Sequence, residues 1–157
     1  MERDIEFLRA AIALAKAGME SGNGGPFGAI VVRDDQIVGK GNNRVTSSND
    51  PTAHAEVVAI RNACENLGTF QLNDCVIYSS CEPCPMCLGA IYWARPKRLV
   101  FASTREDAAA IGFDDDFIYK EIVLPIDQRA IETHQHTVSE ATAVFQSWAD
   151  KNDKIKY

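Results

Sequence analysis

His54-Ala55-Glu56 and Pro83-Cys84-Pro85-Met86-Cys87 are the two stretches on which the reading of this 157-residue chain turns. Together they offer one imidazole, two thiolates and a carboxylate. A closed structural zinc site takes four protein ligands, whereas His54, Cys84 and Cys87 supply three and leave a fourth position to water. That is the open coordination of a catalytic zinc, one ion per chain. Glu56, beside the ligands and binding no metal itself, is placed to move protons. Both stretches sit at helix starts. Asp50-Pro51 predicts an N-cap and a first helical residue, with Ala53 to Leu67 continuing the helix and Gly68 stopping it. Pro83 and Pro85 bracket Cys84 ahead of a helix that ends near Ala94. Residues two apart do not share a helix face, so His54 and Glu56 can serve one metal only if it lies at the helix end. Cys84 and Cys87, three apart, do share a face, and a helix N-terminus favours their thiolate forms.

Working outward, apolar residues at Ile5, Leu8, Ala11, Ile12, Ala15 and Met19 recur near the helical period and predict an amphipathic helix over residues 4–20. Gly22, Gly24, Gly25 and Pro26 mark a turn without the spacing of a phosphate-binding loop. The runs Phe27 to Arg33 and Gln36 to Lys40, joined by Asp34-Asp35, predict a hairpin. Cys75 to Ser79 and Arg98 to Ser103 read as strands, and Arg105 to Ile111 as a short helix stopped by Gly112. Strands alternating with helices imply an α/β layered domain whose sheet is partly parallel. From Phe113 to Arg129 there is no clean period. His134 to Val138 is expected to be a strand and Glu140 to Lys151 the last helix, with Val144, Phe145 and Trp148 on an apolar face. No repeat or linker divides the sequence, so residues 1–157 read as one domain.

At 46% hydrophobic residues the chain can bury a core, while its net charge of −6 argues against a broad polyanion-binding surface. A small uncharged substrate fits better than nucleic acid. The basic cluster Arg95, Lys97 and Arg98 follows the second metal-bearing helix and reads as a complement to its C-terminal dipole. No apolar run approaches the roughly 18 residues of a membrane helix, and Met1-Glu2-Arg3-Asp4 has neither the basic nor the apolar region of a signal peptide. The expectation is a cytoplasmic protein without membrane partners. The odd count of five cysteines, at metal-ligand spacing, points to metal rather than disulfides.

Other readings compete for the same residues. Cys81-x2-Cys84-x2-Cys87 suggests iron–sulfur ligation, but that pattern expects a fourth cysteine followed by proline, and Leu88-Gly89-Ala90 follows instead. Cys81, Cys64 and Cys75 are then structural. Glu82 suits a loop or cap hydrogen bond better than a second acid. His134 and His136 lack a third ligand. The run Asp114-Asp115-Asp116 is either a solvated loop or, given Phe113 and Phe117 beside it, packed against something. A zinc-stabilised binding module without catalysis is the reading of a different class, and Glu56 beside an open position argues against it.

The two motifs resemble those of the cytidine deaminase-like superfamily of zinc deaminases. Residues 46–56, 81–96, Gly112-Phe113-Asp114-Asp115 and Phe117 to Glu121, with the terminal Tyr157, are similar to the bacterial guanine deaminases of that fold. The resemblance implies a three-layer α/β/α fold around a central mixed β-sheet, and hydrolytic deamination of guanine to xanthine and ammonia, with Glu56 as proton shuttle. It implies substrate contacts from Asn43 and Asp115 to the base edge, with the register between Asp114 and Asp115 open, and aromatic walls from Phe27 and Trp93. It further implies a homodimer in which residues 139–157 are exchanged between subunits and Tyr157 caps the bound base. Guanosine or another aminated heterocycle is the near alternative, and a tRNA adenosine deaminase a more distant one that the acidic charge disfavours.

Overall fold

A computed structural model describes residues 2–157. Met1, part of the stretch read above for the absence of a leader, lies outside the described residues. The residues up to Asp115 form one compact unit and Asp116–Tyr157 another.

The first unit is built on four strands, β1 (Gly28–Arg33), β2 (Gln36–Asn42), β3 (Val76–Cys81) and β4 (Arg98–Ser103), in the order β2-β1-β3-β4. β1 pairs antiparallel with β2 and β3, and β3 pairs parallel with β4, so the sheet is mixed. The hairpin turn falls on Asp34 and Asp35, both at positive φ (49° and 59°), the backbone that a two-residue turn between twisted strands demands. Alternation along the strands builds the layers. Ile30 and Val32 of β1, with Val76 and Tyr78 of β3, face α1 (Glu2–Glu20) through Phe7 and Ala11. Ala29 and Val31, with Ile77, face the opposite way onto Ala55, Ala59 and Ala63 of α3 (Ala55–Leu67) and Ile91 and Ala94 of α4 (Pro85–Ala94). The three-layer α/β/α expectation is met.

Gly39 and Gly41 of β2 let α3 sit directly on the sheet. A Cβ at Gly39 would stand 2.6 Å from the Ala59 carbonyl oxygen, and one at Gly41 2.5 Å from the Ala59 nitrogen. This close approach carries the start of α3 to the end of β2 that leads into Asn43.

A short helix, α2 (Val45–Ser48), precedes Asp50, and here the expected cap is corrected. Asp50 does not start α3; its carboxylate accepts from the N–H (2.8 Å) and hydroxyl (2.7 Å) of Thr52. An aspartate satisfied two residues on makes a turn rather than a helix cap, and α3 begins at Ala55 with His54 in the N-cap position. Beyond β4, α5 (Arg105–Ala109) is shorter than expected and is opened by a capping box between Thr104 and Asp107.

The second unit holds α6 (Asp116–Ile122), a 3-10 turn at Ile126–Gln128 and α7 (Ser139–Asp150). The strand expected at His134 to Val138 is irregular. Strand-forming side chains need a ladder to satisfy the backbone, and the four sheet strands all belong to the first unit. No described helix is long and apolar enough to cross a membrane.

Candidate active site

The two motifs meet at helix N-termini. His54, extended at φ −70° and ψ 154°, is the N-cap of α3, and Cys84, at φ −64° and ψ 168°, is the N-cap of α4, with Pro85 following. Neither side chain caps its own helix; both turn toward each other. His54 Nδ1 lies 3.5 Å from Cys84 Sγ and 3.4 Å from Cys87 Sγ, and the three ligand atoms all fall within 4.8 Å of one another. A tetrahedral zinc, with bonds of about 2.3 Å to sulfur and about 2.0 Å to nitrogen, holds such atoms about 3.5 Å apart. The donor set fits zinc. Among the described residues this is the one group of metal-ligand type.

The electrostatics agree. The Cys84 thiol is pulled down to about 4 by a hydrogen bond from the Cys87 thiol and then by His54, against its burial. His54 is raised by its hydrogen bond with Cys84. Cys87 is pushed up, by the same bond to Cys84 and by burial. One thiolate thus stands ready, and metal binding displaces the remaining proton.

Glu56, at the second helical position, is 6% exposed. Burial is the main reason its carboxyl is raised above the usual carboxylate range, and the buried Ser79 hydroxyl donates to its Oε1 at 3.1 Å. With His54 just outside the helix and Glu56 in its first turn, two residues that share no helix face both reach the metal group.

The substrate contacts implied by resemblance are distributed less evenly. Asn43, 5% exposed, accepts at Oδ1 from the N–H groups of Gly25 (3.2 Å) and Val45 (3.1 Å). That orientation leaves the amide nitrogen as its free donor. The Gly24–Gly25 turn is pressed onto Asn43: a Cβ at Gly24 would stand 2.8 Å from the Asn43 carbonyl oxygen. Phe27 is met edge-on by Phe113, with ring centroids 4.9 Å apart and planes at 89°, which gives Phe113 the packed role left open above. Asp115 is half-buried while Asp114 is exposed. Burial and then the charge of Cys84 raise the Asp115 carboxyl, so Asp115 is the aspartate that feels the metal group. Trp93 stands on a different face of α4 from the buried Cys87 and is 65% exposed. Tyr157 belongs to the second unit.

Cys81 is not among the metal-ligand group; its thiol donates to the Thr104 carbonyl at 3.4 Å, and burial pushes it up to about 11. All five cysteines are free thiols. Glu82 accepts from the Arg105 N–H at 3.2 Å, the loop and cap role expected of it. His134 pairs with Glu132 at 2.8 Å on the surface. Sequence reasoning missed Ser79 as a partner of Glu56, although two serines inside a fully buried strand are a signal that a polar group waits there.

A family signature described as the cytidine and deoxycytidylate deaminase zinc-binding region matches residues 1–103, and the chain belongs to that family. Zinc is the cofactor of the family, and His54, Cys84 and Cys87 are the group able to hold it. Within the family, the chain is 56% identical over 151 residues to the guanine deaminase of Bacillus subtilis, covering 96% of this chain and 97% of that protein. An X-ray structure of a guanine deaminase from Bacillus subtilis matches with a TM-score of 0.94 over 97% of each chain, also at 56% identity. A tRNA-specific adenosine deaminase of Buchnera aphidicola is 34% identical over 153 residues, covering 98% of this chain and 97% of that protein. A structure of guanine deaminase from Nitrosomonas europaea is 34% identical, with a TM-score of 0.66 over 69% of this chain and 63% of that one.

Proposed function

We propose that the protein hydrolyses guanine to xanthine and ammonia, with zinc held by His54, Cys84 and Cys87 and protons carried by Glu56. The observation that carries the substrate is the extent of the likeness to the Bacillus subtilis guanine deaminase. It holds at 56% identity over 96% of the chain, beyond the residues 1–103 that the family signature reaches. The net charge of −6 also favours a neutral base over tRNA.

Zinc in this donor set supplies a Lewis acid with an open position, where a water's pKa falls toward about 7. Glu56 accepts a proton as the water oxygen bonds to the carbon bearing the exocyclic amine. It passes that proton to the adjacent ring nitrogen, then takes the water's second proton from the added hydroxyl and delivers it to the amine as the C–N bond breaks. Burial of Glu56 strengthens it as a base for the first transfer. Asn43, its Oδ1 already occupied, donates from its amide nitrogen to an acceptor on the base. Asp115 accepts from the base's N–H edge, and Phe27, braced by Phe113, walls the pocket.

One catalytic domain acts in a homodimer, with residues 139–157 exchanged between subunits so that Tyr157 of each closes the other's pocket and Trp148 anchors the helix. In support, no described residue after Asp115 is buried, although Phe145 is 77% and Trp148 45% exposed on α7. Such apolar surface calls for a cover. A zinc thiolate site with every cysteine reduced supports a cytoplasmic location.

Ammonia release from zinc-loaded protein offered guanine, guanosine, adenine, cytosine and tRNA tests the reading. Guanine should dominate. Faster release from guanosine or tRNA would overturn the substrate, and iron with sulfide in metal analysis, or full zinc in Cys87→Ala, would overturn the metal site.

A further inference from the structure

Glu56 is a flexible side chain that must meet a proton at one atom and release it at another; its own backbone N–H and the Cys87 thiol also bond its carboxylate, but both lie on the side of the helix ends. The sheet beneath supplies a constraint. Side chains alternate along β3: Val76 and Tyr78 face α1, and Ile77 faces α3. The same alternation turns Ser79 to the α3 side. There its hydroxyl donates to Glu56 Oε1 at 3.1 Å, with Ser79 2% and Glu56 6% exposed. A hydroxyl inside a buried strand is costly unless bonded, and a small apolar residue would pack at this position equally well.

We propose that Ser79 is a positioning residue for the proton carrier: its hydroxyl pins Oε1, so that Oε2 meets the attacking water and the base. The proposal rests on the reading of Glu56 given above. A serine hydroxyl suits both states of a carrier, because it donates to a carboxylate and, once rotated, accepts from a carboxylic acid. A fixed donor such as a backbone N–H serves only the first. The adjacent hydroxyl does different work. Ser80 Oγ accepts from the Gly28 N–H at 3.0 Å and ties β3 to the start of β1.

The test uses zinc-loaded, full-length Ser79→Ala, Ser79→Thr and Ser79→Val, with kcat and KM for guanine, zinc per chain, and a crystal structure of Ser79→Ala. Loss of a hydrogen bond to a charged group corresponds to a fall in kcat of about 10- to 100-fold in the Ala and Val variants. KM and zinc content should hold. Ser79→Thr, which keeps the hydroxyl, should stay near wild type, and the Glu56 carboxylate should leave its place in Ser79→Ala. Wild-type kcat in Ser79→Ala, or an equal fall in Thr and Val, would overturn the proposal. The near-isosteric Thr and Val pair decides even if the Ala variant does not fold. Glu56→Gln is measured alongside: if it still turns over, the proton-carrier reading has failed, whereas an inactive Glu56→Gln with a fully active Ser79→Ala defeats the positioning role alone.

Discussion

Gly41→Ala should damage catalysis from a position that touches neither metal nor substrate. Gly41 lies in β2 opposite Ala29, and its added Cβ would fall inside contact distance of the Ala55 carbonyl oxygen, 2.5 Å from the Ala59 nitrogen and 3.1 Å from the Val58 Cβ. Two of the three atoms are helix backbone, which cannot rotate aside. Restoring ordinary contact requires α3 to retreat by about 1 Å. The first turn of α3 carries Glu56, and His54 immediately precedes it, so the retreat pulls ligand and proton carrier away from the cysteines of α4 together. Overpacking of this kind costs about 1 to 3 kcal/mol of stability, and a misplacement of about 1 Å can cost about 100-fold in rate. The assay is kcat for guanine with zinc per chain and denaturant unfolding measured on the same samples. Gly89→Ala is the control: its Cβ would meet nothing within 4 Å in the middle of α4, so it should gain about 0.5 to 1 kcal/mol from helix propensity and leave kcat alone. Gly41→Ala with wild-type kcat and stability would refute the claim that α3 seats the site through this contact.

Glu56→Gln should lose about 100- to 10,000-fold in kcat, the usual worth of a general acid–base group, while zinc content stays at one per chain; near wild-type turnover would move the proton path elsewhere. Asp115→Ala should cut guanine turnover by about 5- to 150-fold with fold and zinc retained, since an unpaired buried donor on the base costs about 1 to 3 kcal/mol; if Asp114→Ala does so instead, the register is off by one. Deleting residues 153–157 should cut turnover sharply without lowering the melting temperature of the first unit or removing zinc, and an intact rate would refute the lid. Tyr78→Phe should flatten an alkaline loss of stability: burial, then its bond to Asp4, pushes the Tyr78 hydroxyl up to about 12. The folded state therefore keeps a proton that the unfolded chain gives up near pH 10, so stability is whole below pH 10 and falls between there and 12. An unchanged pH-dependence of unfolding in Tyr78→Phe would show that another group is responsible.

How much of this could be read from the sequence depended on whether the deciding interaction was local. Cys84 and Cys87 could be placed on one helix face from their spacing, and the hairpin from Asp34-Asp35, because both follow from backbone geometry over a few residues. Asp50 was misread for an equally local reason. An aspartate can cap a helix or bond two residues on, and the presence of Thr52, which offers both an N–H and a hydroxyl, decides for the turn. His134 to Val138 carries strand-forming residues without a ladder partner, something no window of sequence reveals. Ser79 beneath Glu56 is a contact between residues far apart in sequence, made by the packing of α3 on β3. From Phe113 to Arg129 the absence of any buried residue explains why no period is visible there: an element that packs against nothing needs no apolar stripe.

The local rules that the site breaks say what it was built for. At the N-caps of α3 and α4, where serine, threonine, aspartate or asparagine would satisfy a backbone N–H, the chain places His54 and Cys84, and neither bonds its own helix. Poor caps of this kind forgo about 0.5 to 2 kcal/mol each. Pro85 softens the loss at α4, since a proline at the first helical position has no N–H to leave unbonded. What remains at each helix end is the positive pole of the dipole. The Cys87 thiol, and after it His54, favour the Cys84 thiolate, and the cap positions, extended and just outside the helix, let His54 and Cys84 lean across the gap while Glu56 and Cys87 follow from the first turns. Two helices thus yield capping stability to bring three metal ligands and one proton carrier together at the carboxyl end of β3.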